Sequence, residues 1–73
     1  MRVLVVEDEL FIRMDLEARL KRLDADVVGA TANGKYAVDL ASRLKPELIL
    51  MDIQLQGPMD GIEATRRILA VRL

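Results

Sequence analysis

The sequence predicts one small α/β domain of 73 residues, in the order βαβαβα around a parallel sheet. Three observations predict it. The runs Val3-Leu4-Val5-Val6 and Leu48-Ile49-Leu50-Met51 are short, apolar and unbroken by polar residues, as in strands covered on both faces by helices. The segments between and after them repeat their apolar residues at helical spacing. Both apolar runs end in carboxylates, Glu7-Asp8-Glu9 and Asp52.

Residues 2–6 make the first strand. Residues 10–23 form a helix, with Ile12, Leu16, Leu20 and Leu23 inward and Arg13, Asp15, Glu17, Arg19, Lys21 and Arg22 outward. Asp8 or Glu9 starts that helix, where an acid suits the dipole. Residues 26–30 are a second, weaker strand, and Asn33-Gly34 breaks the chain after it. Residues 35–44 form the second helix, with Ala37, Leu40, Ala41 and Leu44 inward. Pro46 ends it and favours an extended Lys45. Residues 47–52 are the third strand, followed by a loop containing Gly57-Pro58. Asp60 caps a third helix from Gly61 to about Ala70, with Ile62, Ile68 and Leu69 apolar. The methionines read as core filler.

Composition excludes several classes. Hydrophobic residues are 52% of the chain, too many for a disordered segment. The net charge of −1 offers no bulk field to nucleic acid or an anionic membrane. Without cysteine there is no disulfide framework and no zinc-thiolate site. Without histidine the usual general base is missing, and so is a phosphohistidine of the chain's own. Met1-Arg2 runs into only four apolar residues before the acids, so no signal peptide is expected. No apolar stretch has the length of a membrane span, and the expected compartment is the cytoplasm.

In an open α/β sheet, function collects at the carboxyl ends of the strands. If the two carboxylate-tipped strands are neighbours, about 4.8 Å apart, Glu7, Asp8 and Asp52 crowd one site. Crowded carboxylates repel, and a cation or a shared proton relieves them. Mg2+ suits two carboxylates with room for water and phosphate. Each cluster also has a plain structural reading: 7–9 as a helix N-terminus, Asp52 as a cap or turn. Together they are more specific than either. The first strand is followed by no Gly-rich dinucleotide turn, there is no P-loop, and Ser42 lies inside a helix rather than on a nucleophile elbow. Asp8 is followed by Glu9-Leu10, not by the Asp-x-Asp of haloacid-type phosphatases. Lys35 and the pair Arg66-Arg67 read as exposed helix positions.

The ordered set Val3-Leu4-Val5-Val6-Glu7-Asp8-Glu9, Pro46-Glu47-Leu48-Ile49-Leu50-Met51-Asp52-Ile53 and Met59-Asp60-Gly61-Ile62-Glu63 resembles the receiver domain of two-component response regulators, along the whole chain. The resemblance implies a flavodoxin-like fold of strand order 2-1-3-4-5, and hence 2-1-3 for three units. It implies that Asp52 is the phosphoacceptor, taking its phosphoryl group from a sensor histidine kinase or phosphotransfer protein. Asp8 then matches a direct Mg2+ (or Mn2+) ligand and Glu7 an acid holding the ion through water, while Gln54 matches the position whose backbone carbonyl faces the metal. Such a chain is a phosphoacceptor rather than an enzyme.

Two departures from the family pattern stand out. The loop Gln54-Leu55-Gln56-Gly57-Pro58-Met59 is one residue longer than the commonest form. A complete receiver also has five βα units where this chain supplies three, without the switch Ser/Thr after strand four and the Lys after strand five. Residues 1–73 therefore read as a partial receiver domain with impaired phosphorylation. The rival reading is a self-assembling half-fold without signalling output. Chains this short bury only about 60% of their unfolded surface, and the third strand would be an apolar edge. A two-fold homodimer through that edge is expected.

Overall fold

A computed structural model describes residues 1–72. The elements are β1 (Arg2–Val6), α1 (Leu10–Arg22), β2 (Asp26–Thr31), α2 (Gly34–Leu44), β3 (Leu48–Met51) and α3 (Gly61–Arg72). The strands form one parallel sheet in the order β2-β1-β3. Fold class and strand order are those the sequence predicts. Boundaries shift by one or two residues, as fraying ends do.

The sheet is organised around β1. It pairs on one edge with β2 and on the other with β3, and Val3, Leu4, Val5 and Val6 are all buried. On β3 the register sets Val3 beside Leu48 and Val6 beside Met51. The ladder continues past both ends of β3: Glu47 N–H donates to Arg2 O (2.9 Å) and Asp52 N–H to Val6 O (2.9 Å). Leu4 and Val6 join Ala37, Ala41, Leu55 and Ile68 in the core beneath α2 and α3. By alternation Val3 and Val5 lie on the opposite face, where right-handed crossover places α1. α1 packs on β1 and β2, and α2 packs on the sheet and on α3. Alanines at 37 and 41 bring α2 close to the sheet, as expected.

The two faces are covered unequally. Leu16 and Leu20 of α1 are half-buried, but Ile12 is exposed, Leu23 is 77% exposed, and among the described residues none of α1 is fully buried. The expected inward stripe of α1 is therefore only half realised, because no described element covers its flank. α3 buries Gly61, Ala64 and Ile68, whereas Ile62 is 64% exposed and Leu69 is also exposed. Gly61 sits against Asp52 and Ile53 at the end of β3, and Ala64 and Ile68 carry the rest of the buried face, which leaves Ile62 and Leu69 turned outward. Met59 is buried and Met51 half-buried, but Met1 and Met14 are exposed rather than core filler. Lys45 is left-handed (φ 47°), not extended. Its N–H closes on Ala41 O, so the C-cap satisfies a helix carbonyl while still leaving the right-handed helix that Pro46 disfavours. Among the described residues no helix is long and apolar enough to cross a membrane.

The helix starts differ in how they are capped. Asn33 Oδ1 accepts from Tyr36 N–H (2.9 Å), and Asp60 Oδ1 accepts from Glu63 N–H (2.9 Å). Glu9, at the start of α1, makes no side-chain cap bond. Asp60→Ala is accordingly expected to lower stability by about 1 kcal/mol in urea titration, while Glu9→Ala changes it by no more than about a third of that.

Candidate functional site

Two adjacent strand ends build the site. Val6 and Met51 are register partners, so the residues that follow them emerge side by side. Glu7 N–H donates to Thr31 O of β2 (3.0 Å), and Asp52 N–H donates to Val6 O of β1 (2.9 Å). Backbone pairing thus fixes where both segments leave the sheet. Carboxylate oxygens of Glu7, Asp8 and Asp52 lie within 4.8 Å of one another, and all three residues are half-buried.

Each flanking segment folds back on its own acid. Glu7 Oε2 accepts from Glu9 N–H (3.0 Å), and Asp52 Oδ1 accepts from Gln54 N–H (2.9 Å). Such local turns are typical of Asp at a strand end. The acids open into a cleft of about 450 Å³ lined by Glu7, Asp8, Glu9, Ile12, Asp52, Gln54 and Gln56. The carboxylates there could offer a metal only oxygen, which would suit a hard divalent ion over a soft one. Glu7, Asp8 and Asp52 come together at the strand ends, and Gln54 lines the same cleft. Lys35 and the Arg66-Arg67 pair stay exposed, and both arginines bond Glu63 on their own helix.

The crowding shows in the electrostatics of Glu7. The Glu9 N–H bond alone would lower its pKa. Partial loss of water and the neighbouring carboxylates of Asp8 and Asp52 outweigh that bond and hold Glu7 above its usual range. The site is thus a concentration of negative charge that folding assembles at two strand ends.

Three contributors escape the sequence reading. Arg13, expected on the outer face of α1, is half-buried, and its guanidinium Nη1 donates to Glu7 O (2.8 Å). Thr31 supplies the carbonyl that holds Glu7, and its Oγ1 accepts from Asn33 N–H (3.2 Å). Gly61 lets α3 begin against the end of β3: a Cβ there would overlap the Asp52 carbonyl oxygen and lie 2.6 Å from Ile53 Cα. Only Asp60-Gly61 had a sequence signal, as a helix start. A long-range bond from an arginine to a backbone carbonyl leaves none.

The raised pKa of Glu7 has a definite sign for stability. The folded state binds its proton more tightly than the unfolded state does. This contribution is complete below the ordinary glutamate pKa and fades as pH rises through the higher folded value. Without divalent cations, Glu7→Gln is expected to gain stability relative to wild type as pH rises from 4 to 7. Urea midpoints of the two chains across that range measure it, and parallel pH profiles would contradict it.

Residues 3–72 match the Response regulator receiver domain family. The chain is 42% identical over 72 residues to the transcriptional regulatory protein PdtaR of Mycobacterium tuberculosis, covering 99% of this chain and 35% of that protein. It is 46% identical over 68 residues to the transcriptional regulatory protein LiaR of Bacillus subtilis, covering 92% of this chain and 32% of that protein. It therefore spans about a third of the length of these curated relatives. The response regulator domain of Thermotoga maritima CheB superposes with a TM-score of 0.90 at 42% identity, over 96% of this chain and 52% of that one. The signal receiver domain of a modulated diguanylate cyclase from Desulfovibrio desulfuricans gives 0.89 at 40% identity, over 94% and 55%. A parallel 2-1-3 sheet with its acids gathered at the carboxyl ends of β1 and β3, matched over almost its whole length, makes this chain a member of the response regulator receiver domain family.

Proposed function

We propose that this chain is the phosphoacceptor part of a receiver domain, with Asp52 as the acceptor and a sensor histidine kinase or phosphotransfer protein as the donor. The observation that supports this reading is the convergence of Glu7, Asp8 and Asp52 at neighbouring strand ends. Asp8, Asp52 and the Gln54 carbonyl would hold Mg2+ or Mn2+ directly, and Glu7 would hold it through water. The ion supplies charge neutralisation on the transferring phosphoryl group. A carboxylate oxygen of Asp52 attacks phosphorus, the P–N bond of the donor phosphohistidine breaks, and its electron pair leaves with the imidazole. The hydrogen bond from Gln54 N–H to Asp52 Oδ1 orients the carboxylate for that attack. Asp52 is a stoichiometric acceptor, and the cytoplasm is the setting that such a donor implies.

The 73 residues supply three βα units, and the family's later-strand hydroxyl and lysine have no counterpart among them. Oriented charge contacts of that kind are each worth roughly a hundredfold or more in rate. Acetyl phosphate with Mg2+ is therefore expected to label Asp52 at least about a hundredfold more slowly than a complete receiver. Labelling as fast as a complete receiver would contradict the impairment. Labelling that persists in Asp52→Asn would contradict the acceptor assignment. In Mn2+ titrations Asp8→Asn is expected to weaken binding more than Glu9→Gln, and equal effects would contradict the ligand set.

A second reading, a self-assembling half-fold, is favoured by the outer edge of β3. Among the described residues that strand pairs with β1 alone, and Leu48 is 40% exposed. A largely apolar cleft lined by Leu48, Ile49, Met51, Ile68 and Leu69 lies on one side of the edge, and one lined by Val6, Leu16, Leu50 and Met51 together with Glu7 and Asp52 lies on the other. The chain exposes 4996 Å², more than the roughly 4500 Å² expected of a folded monomer of its mass. A second copy placed about a two-fold axis would pair the two β3 edges and cover both clefts. Sedimentation at micromolar concentration is expected to show a dimer that Leu50→Lys dissociates. A folded species at the mass of one chain would contradict it.

A further inference from the structure

We propose that Arg13 is a positioning residue for the metal-binding turn, holding Glu7 and Asp8 in ligating geometry without touching the ion or the phosphoryl group. The inference rests on the metal reading above and adds a residue to it. The turn from β1 to α1 is Glu7-Asp8-Glu9. Arg13 grips it at both ends. Its backbone N–H donates to Glu9 O (2.9 Å), and its guanidinium donates to Glu7 O (2.8 Å). The carbonyls on either side of Asp8 are thus held by one residue of α1. Glu7 is anchored from the other side by its N–H to Thr31 O.

The guanidinium is needed because of where that carbonyl lies. Glu7 is the first residue past the end of β1, beyond Val6 and Met51, the last register partners of β1 and β3. Its carbonyl sits in a turn whose Glu7 and Asp8 carboxylates lie within 4.8 Å of each other and of that of Asp52. A charge-assisted donor is the strong choice for an acceptor in such surroundings. Partners that orient ligands without binding the metal commonly change affinity tenfold or more when removed. The backbone bond to Glu9 survives any substitution at position 13 except proline, so the side chain's part can be isolated.

The test is Mn2+ affinity of the 73-residue chain, with amide hydrogen exchange at residues 7–9 in the metal-free state. Arg13→Met is expected to bind Mn2+ about tenfold more weakly and to exchange faster at 7–9 while the β1 amides stay protected. Arg13→Lys keeps a cationic donor of similar reach and is expected to restore both. If Arg13 mattered only as a positive charge near the acids, Arg13→Met would tighten binding, and that result overturns the proposal. Unchanged affinity overturns it as well. Should Arg13→Met fail to fold, Arg13→Lys decides: wild-type affinity supports the proposal, and a tenfold loss in a folded chain overturns it. A wild-type chain that binds no Mn2+ defeats the metal reading itself. Wild-type binding matched by Arg13→Met defeats the positioning role alone.

Discussion

Parallel pairing of β1 with β3, in the register that sets Val6 beside Met51, is the constraint on which the rest of the molecule depends. β1 is bonded on both edges and buried on both faces, so it has little freedom to slip. A shift of one residue would turn Leu4 and Val6 out of the core beneath α2 and bring Val3 and Val5 into it. The same shift would carry Glu7 and Asp8 away from Asp52. Apolar packing along the strands therefore positions the acids at their ends. The packing must also outweigh the cost of crowding the acids, and the raised pKa of Glu7 reflects both its partial loss of water and its carboxylate neighbours Asp8 and Asp52. The strands, rather than the acids, hold this cluster together.

The surroundings of the acids follow the same logic. Their segments are tied by short backbone bonds: Glu9 N–H to Glu7, Gln54 N–H to Asp52, and Asp52 N–H to β1. α3 begins directly against Asp52 because Gly61 has no Cβ, and Asp60 caps that helix from the adjoining position. α1 contributes Arg13 from the other side of the site. The region is hydrogen-bonded where it meets the sheet and open at the cleft.

Much of this was legible in the residues. The apolar runs at 3–6 and 48–51 define two strands, and their carboxylate ends define the site, because burial on both faces and a polar terminus are both written in composition along the chain. Three things were not legible. Helix faces were read from apolar spacing alone, which assumes that every apolar stripe finds a cover. Ile12, Leu23, Ile62 and Leu69 remain outside because no described element lies over them. The left-handed Lys45 reflects a competition between proline sterics and the helix's last carbonyl, and local sequence does not rank the two. Arg13 was assigned to solvent by its charge, yet the carbonyl it reaches exists only once the turn after β1 has formed.

Strand pairing brings acids from two distant segments together, and on the proposed function they bind one divalent cation as a single site. Mg2+ titration of the ¹⁵N-labelled chain, followed by amide chemical shifts, tests it most directly. Residues 7–9 and 52–54 are expected to shift together with one common affinity, while the amides of Arg2, Val3, Asp26 and Val27 at the far end of the sheet stay in place. Separate affinities for the two segments, or shifts spread evenly over the chain's acids, would contradict it.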